Sequence, residues 1–275
     1  MSTIRTRDGT RLWVRDWGEG RPVVLLHGWS LNADFWERQT LALARAGHRA
    51  IAYDRRGFGR SDQPADGYDY DTFADDLADV LSATEATDGV TLIGYSMGSG
   101  EVARFLSRYG GRGVARAVLV SPVVPCLLRS ADNPHGYDPA RFDQQTEQLL
   151  ADRAHFFRSY AKNLYGVGLL SHSVSAETLD WTWGMTMQGG LRPLLAAREA
   201  FGRMDFRPDL PAFGVPTLVV HGDADTDAPV EATGRAAARG IAGARLIEYP
   251  GAAHGLPISH ADRLSADLLD FLRAT

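Results

Sequence analysis

The stretch 90–100, VTLIGYSMGSG, constrains the fold more than any other part of this chain. An apolar run ends at Gly94, a serine follows at Ser96, and a helical pattern begins directly after Gly98. A strand that turns this sharply into a helix strains the backbone at its apex, at a cost of about 1–3 kcal/mol. Residues two positions away on either side must then be small. The pattern predicts a serine hydroxyl held above a sheet at a helix N-terminus, where negative charge is favoured.

Composition and charge limit the classes of protein and partner. The chain has 275 residues, of which 44% are hydrophobic and 23% charged, and this fits one large globular domain with an insertion. A net charge of −5 argues against a nucleic-acid partner and against attraction to an anionic membrane. The N-terminal sequence lacks the apolar segment of a secretory signal, and no run of about 18 apolar residues is present. We therefore expect a cytoplasmic protein without a membrane partner; a homo-oligomer is left open.

Apolar runs and helical patterns alternate along most of the chain. Buried strands are predicted at residues 22–26, 50–53, 117–120, 215–220 and 245–249. This alternation is typical of a mostly parallel, doubly wound sheet with helices on both faces. Ligand sites in such a sheet lie at the carboxyl ends of the strands. His27, Asp54, Ser96 and Ser121 all follow predicted strands directly, so we expect them at that edge.

The alternation stops between Pro122 and about Met204, where proline and aromatic residues are frequent. We interpret residues 123–204 as a helical cap, inserted into a core formed by residues 1–122 and 205–275. Because such a cap would cover the strand ends, some of its aromatic side chains should line an apolar pocket. Its helices are predicted near residues 139–161, 176–186 and 192–203, with no clear strand.

A serine hydroxyl is a poor nucleophile near neutral pH, so a catalytic serine needs a base and a buried acid that orients the base. Two later strand ends offer these groups. Asp223 and Asp225 follow the run LVVHG, and His254 follows EYPGAA. The chain order serine, aspartate, histidine is the one expected for a serine on a strand-to-helix turn. The interval from Asp225 to His254 leaves room for one helix and one strand, so both loops can reach the same sheet edge.

Metal sites are the competing interpretation of this acidic stretch. Asp223, Asp225 and Asp227 alternate as in a calcium loop, but the sixth and twelfth positions hold alanine and glycine instead of glycine and glutamate. A transition-metal site on His221 lacks a second histidine at suitable local spacing. We therefore predict no metal at this stretch.

An oxyanion formed on the substrate would need two N–H donors. The residue after the serine, Met97, supplies one, and the loop after an earlier strand supplies the other. The sequence HGW at 27–29 is that loop, and we assign the second donor to the Trp29 N–H. We also expect four side chains to contact the substrate: Trp29, Val123, Trp181 and Ala228.

Five motifs occur together: HGW at 27–29, DRRGFGRS at 54–61, GYSMG at 94–98, HGDAD at 221–225 and GAAHG at 251–255. With this set the chain, from Thr6 to its C-terminus, resembles the cofactor-free haloperoxidase (perhydrolase) and arylesterase branch of the α/β-hydrolases. The resemblance implies an α/β-hydrolase fold with Ser96, Asp225 and His254 as the catalytic triad. It also implies the Trp29 and Met97 oxyanion donors, and neither metal, haem nor another cofactor.

The chain departs from the branch at one position. Perhydrolases usually carry proline directly after the first motif, where this chain has Ser30. The departure favours hydrolysis of carboxylic esters or lactones through an acyl-enzyme. The apolar, aromatic cap favours small to medium apolar or aryl substrates. Formation of peracids from a carboxylic acid and hydrogen peroxide is the alternative. Lactam or amide cleavage and a non-catalytic ligand receptor on the same scaffold stay open.

Overall fold

A computed structural model describes residues 2–168 and 171–274 of the chain. In this part, eight strands form one sheet with the order β1-β2-β4-β3-β5-β6-β7-β8. The strands are β1 (Ser2–Arg5), β2 (Arg11–Trp17), β3 (Pro22–Leu26), β4 (Arg49–Tyr53), β5 (Val90–Tyr95), β6 (Val114–Val120), β7 (Thr217–Gly222) and β8 (Arg245–Tyr249). Strand β2 pairs antiparallel with β1 and β4, and every other neighbouring pair is parallel. The predicted mostly parallel sheet is confirmed.

Helices connect most of these strands. They are α1 (Glu37–Arg45), α2 (Tyr70–Ala83), α3 (Met97–Tyr109), α4 (Pro139–Ala151), α5 (Arg153–Leu164), α6 (Ala176–Gln188), α7 (Leu191–Arg203), α8 (Gly234–Gly240), α9 (Leu256–Ser259) and α10 (Ala261–Arg273). Short 3₁₀ turns lie at Ala33–Trp36 and Arg207–Ala212. Among the described residues, no helix has both the length and the apolar character needed to cross a membrane.

The core lies on both faces of the sheet. Successive side chains of a strand point to opposite faces, so Val24 and Leu26 of β3 join one apolar cluster. Val23 and Leu25 of the same strand join the other cluster. This explains why β3 is a continuous apolar run, as expected for a strand covered by helices on both sides. The predicted doubly wound arrangement is therefore confirmed.

Helices α4 to α7 all lie between β6 and β7 in the chain. The single helix predicted over 139–161 is in fact two, because Asp152 has an extended backbone (φ −153°, ψ 91°) that ends α4. Its side chain then accepts a hydrogen bond from the His155 N–H and caps α5. The division into a core and a cap over 123–204 stays a prediction.

Candidate active site

Ser96 lies at the junction of β5 and α3, where the chain turns sharply. Its φ of 51° and ψ of −120° are rare for a residue with a side chain. A Cβ atom at Gly94 would lie 2.4 Å from the carbonyl oxygen of Gly98, and one at Gly98 would lie 2.5 Å from that of Leu26. Both glycines are therefore required by close backbone approach, and together they permit the turn that holds the Ser96 hydroxyl at the strand end.

Ser96, His254 and Asp225 are joined by hydrogen bonds across three loops that follow β5, β8 and β7. The Nε2 atom of His254 lies 2.9 Å from Ser96 Oγ, and its Nδ1 atom lies 2.6 Å from Asp225 Oδ2. All three residues are buried. Because Nδ1 donates its proton to the carboxylate, Nε2 of the neutral ring can accept the proton of the serine.

The carboxylate of Asp225 is held by its own loop. Its Oδ1 atom accepts hydrogen bonds from the backbone N–H groups of Asp227 (2.8 Å) and Ala228 (2.9 Å). The Nε2 atom of His221 lies 3.0 Å from Oδ2. Burial alone would raise the pKa of Asp225, but the neighbouring His254 and His221 outweigh burial and hold the pKa below its usual range. The group is therefore an anion at neutral pH.

The pKa of His254 is raised above its usual value, although burial acts to lower it. The charge of Asp225, its hydrogen bond to Nδ1 and the charge of Asp227 together exceed the effect of burial. The carbonyl oxygen of His254 also accepts a hydrogen bond of 2.9 Å from the hydroxyl of Ser121, which ties this loop to the end of β6.

The HGW loop lies against the serine. A Cβ atom at Gly28 would be 3.2 Å from the Cβ of Ser96. The N–H groups of Trp29 and of Met97, the first residue of α3, donate to no acceptor within 2–168 and 171–274. The loop is braced by buried His27, whose Nε2 atom accepts the Arg55 N–H at 2.9 Å. Trp29 and Met97 thus have unused N–H donors, and their role as an oxyanion site stays a prediction.

A cavity opens directly above the hydroxyl. It is lined by Trp29, Ser96, Val123, Leu127, Tyr137, Phe142, Gln145, Tyr160, Arg198, Phe201, Asp227, Ala228 and His254. Three of the predicted substrate contacts, Trp29, Val123 and Ala228, thus face this space. Trp181 does not line it, which differs from the expectation. It belongs to α6, which contributes none of the lining residues, and packs partly buried against the apolar cluster that includes Tyr165 and Met185.

Four polar residues of the cavity wall were missed by sequence reasoning: Tyr137, Gln145, Arg198 and Asp227. The sequence did contain a signal for Asp227, because this residue continues the alternation of Asp223 and Asp225. The other three lie in helical or irregular segments whose pattern does not indicate which face meets the cavity.

Comparisons with known proteins agree with this architecture. Residues 21–261 match the alpha/beta hydrolase fold family. The structure is similar to that of a bromoperoxidase from Bacillus anthracis, with a TM-score of 0.95, 38% identity and coverage of 99% of both chains. The chain belongs to the α/β-hydrolase family.

Two relatives place this α/β hydrolase within the family. It is 42% identical over 278 residues to a non-heme chloroperoxidase of Kitasatospora aureofaciens, with 99% of each chain covered. It is 37% identical over 278 residues to a bifunctional esterase/perhydrolase of Acinetobacter calcoaceticus, with 100% of each covered. The predicted resemblance to the haloperoxidase and perhydrolase branch is confirmed.

Proposed function

We propose that this α/β hydrolase is a serine esterase that cleaves small to medium carboxylic esters or lactones. The observation that carries the proposal is the continuous hydrogen-bonded chain from the Ser96 hydroxyl through His254 to the buried carboxylate of Asp225. The bifunctional esterase/perhydrolase among its relatives supports the same class of reaction.

The proposed reaction has two halves. In the first, Ser96 Oγ attacks the ester carbonyl carbon while His254 Nε2 accepts the hydroxyl proton, and Asp225 stabilises the imidazolium. The same proton then passes to the leaving alcohol, which departs and leaves an acyl-enzyme. In the second half, water loses a proton to His254 and attacks the acyl carbon. The bond from that carbon to Ser96 Oγ then breaks, the acid is released, and His254 returns the proton to Oγ.

The negative charge on the carbonyl oxygen would be met by the N–H groups of Trp29 and Met97. Both donors are available for this contact, because neither has another acceptor in the described part of the chain. Loss of one such donor typically costs about 2.7–4 kcal/mol of transition-state stabilisation.

The wall of the cavity suggests the chemistry of the substrate. Trp29, Phe142 and Phe201 supply much of its apolar wall. Such a wall suits an apolar acyl group or an alkyl or aryl leaving group. We further propose that residues 123–204 act as the cap, since Phe142, Tyr160 and Phe201 reach the cavity from three of its helices.

Turnover of p-nitrophenyl acetate by the Ser96→Ala variant tests the proposal. We expect the rate to fall by about 10⁴-fold or more, because the nucleophile and the function of its base are lost together. Ser107→Ala is the matched control, since Ser107 is exposed on the same helix α3. Equal turnover by Ser96→Ala and the parent would exclude catalysis by Ser96 and, with it, the proposed serine esterase. A non-catalytic ligand receptor would show no turnover in either protein.

Peracid formation is the second candidate, and the names of the relatives favour it. The geometry of the loop that follows β3 does not favour it. Ser30 has a φ of 64°, whereas proline is restricted to about −65°, so the loop differs from one that carries proline at this position. Peracid yield from acetate and hydrogen peroxide, measured beside ester hydrolysis, separates the two activities. A peracid rate above the hydrolysis rate would make perhydrolysis the principal reaction.

A further inference from the structure

The cavity above Ser96 contains a buried cation that the proposed reaction does not use. Arg198, on α7, is only 4% exposed. Its hydrogen bonds go to neutral groups, from Nε to Thr146 Oγ1 and from Nη2 to the Phe142 carbonyl and Gln145 Oε1, each at 3.0 Å. No carboxylate in residues 2–168 or 171–274 lies within 4 Å of it. Buried charges are as a rule paired, so this cation lacks its usual partner.

Three groups around this cation have hydrogen atoms left to donate. Arg198 Nη1 has no acceptor in the described parts of the chain. The hydroxyl of Tyr137 is buried and has no hydrogen-bond partner there either. The amide nitrogen of Gln145 is directed by the bond that its Oε1 atom accepts from Arg198. All three residues line the same cavity as Ser96 and His254, so they border the space that a substrate would occupy.

The position of the guanidinium is fixed by aromatic rings. Its central carbon lies 3.9 Å from the ring centre of Phe142 and 5.1 Å from that of Trp29. Such cation–π contacts and the three hydrogen bonds leave the planar fork little freedom. Because Trp29 also belongs to the proposed oxyanion loop, the guanidinium lies close to the site of ester cleavage.

We propose that Arg198, Tyr137 and Gln145 form an anion subsite, and that the substrate carries a carboxylate a few atoms from its reacting ester. A carboxylate has two oxygens that match the guanidinium fork and can accept the remaining donors. The inference rests on the proposed esterase function and narrows its substrate class from carboxylic esters in general to half-esters of dicarboxylic acids or esters of hydroxy acids.

A second charged group indicates which wall the carboxylate would contact. Asp227 accepts a hydrogen bond from Asn163 Nδ2 at 2.7 Å through Oδ1, while its Oδ2 atom is buried without a partner in the described chain. Within residues 2–168 and 171–274, no arginine lies within 4 Å of it. A substrate carboxylate would be repelled by Asp227 and attracted by Arg198, so it should bind at the α7 wall. The Asp227→Asn variant should therefore bind the anionic substrate more tightly.

Isosteric ester pairs test the subsite. For the acyl side, monomethyl succinate is compared with the neutral methyl ester in which an isopropyl group replaces the carboxylate. For the alcohol side, acetoxyacetate is compared with isobutyl acetate. The readout is the kcat/KM for the anionic ester divided by the kcat/KM for the neutral ester of the same pair. In one of the two pairs, Arg198→Met should lower the ratio at least about tenfold, mainly through KM.

Two further variants keep the test decisive. Tyr137→Phe removes only an unpartnered hydroxyl, so it should fold normally and lower the same ratio by about threefold or more. Arg203→Met, exposed on the same helix α7, should leave the ratio unchanged. If Arg198→Met does not fold, Tyr137→Phe decides alone.

The two proposals fail in different ways. If the parent hydrolyses the neutral esters but neither ratio changes in Arg198→Met and Tyr137→Phe, the anion subsite is wrong and the esterase stands. If the parent hydrolyses neither these esters nor p-nitrophenyl acetate, the esterase itself is wrong.

Discussion

A single histidine should set the pH range of the proposed esterase. His254 must be neutral to accept the serine proton. Its pKa is raised because the negative charges of Asp225 and Asp227 exceed the effect of burial. The ring also lies 5.2 Å from the ring of Tyr95, which is neutral near pH 7, since burial raises its pKa well above the usual value. Asp227 has a pKa raised to about 6, chiefly by burial, so it is mostly charged at neutral pH.

We therefore predict that kcat/KM for a neutral ester falls as pH drops through the raised pKa of His254. Asp227→Asn removes one negative charge that favours the imidazolium, so the acid limb should shift to lower pH. A pH profile of p-nitrophenyl acetate hydrolysis, taken for the parent and the variant, measures both effects. An acid limb that does not shift, or shifts upward, would show that Asp227 does not stabilise the protonated His254.

At the scale of single elements, the turn between β5 and α3 is the most demanding part of the fold. Gly94 leaves no room for a side chain, since its Cβ atom would lie 2.4 Å from backbone. Gly184, within α6, is a contrasting case, because a Cβ atom there would meet nothing within 4 Å. A change from glycine to alanine should therefore have opposite effects on stability at the two positions.

Gly94→Ala should destabilise the protein by about 1–3 kcal/mol and lower kcat/KM about 100-fold, because the hydroxyl of Ser96 is displaced. Gly184→Ala should raise stability by about 0.5–1 kcal/mol, since alanine loses less backbone entropy in a helix. Urea unfolding and p-nitrophenyl acetate turnover measure the two quantities. Normal activity in folded Gly94→Ala would mean that the turn tolerates a side chain and that the close approach is unimportant.

At the scale of the whole molecule, a buried ion pair joins segments that are far apart in sequence. Arg55 follows β4, and its Nη2 atom lies 2.5 Å from Glu101 Oε2 on α3, with both side chains 1% exposed. The same Nη2 donates to the His27 carbonyl at 3.0 Å, and the Tyr53 hydroxyl donates to Glu101. The pair thus connects the proposed oxyanion loop to the helix that begins at Ser96.

Removing one partner of this pair should destabilise the protein far more than removing an exposed charge. Glu101→Gln leaves the Arg55 cation buried without its counter-ion, at an expected cost of about 3–5 kcal/mol in the free energy of unfolding. Asp262→Asn breaks the exposed pair with Arg38 and should cost less than about 1 kcal/mol. Chemical denaturation measures both. If Glu101→Gln lowers the free energy of unfolding by less than about 1 kcal/mol, the buried pair does not stabilise the fold as proposed.

Much of the fold could be predicted because its signals are local. The strand that leads to Ser96 and the two glycines around it are adjacent in the chain, and each restricts the same short turn. The alternation of strands and helices predicts a parallel sheet, and a parallel sheet brings the loops of Asp225 and His254 to one edge. The break at Asp152 was missed because helical patterns on both sides of it continue without an obvious breaker.

The sequence by itself determined the sheet, the strained serine and the order of the residues proposed as a triad, because backbone sterics and strand periodicity act between near neighbours. Only the tertiary structure decided what surrounds that serine. Trp181 does not line the cavity and Arg198 does, although both belong to helices of the same segment. Which face of a helix meets a cavity depends on how several helices pack together, and that packing is set by contacts between residues far apart in the chain.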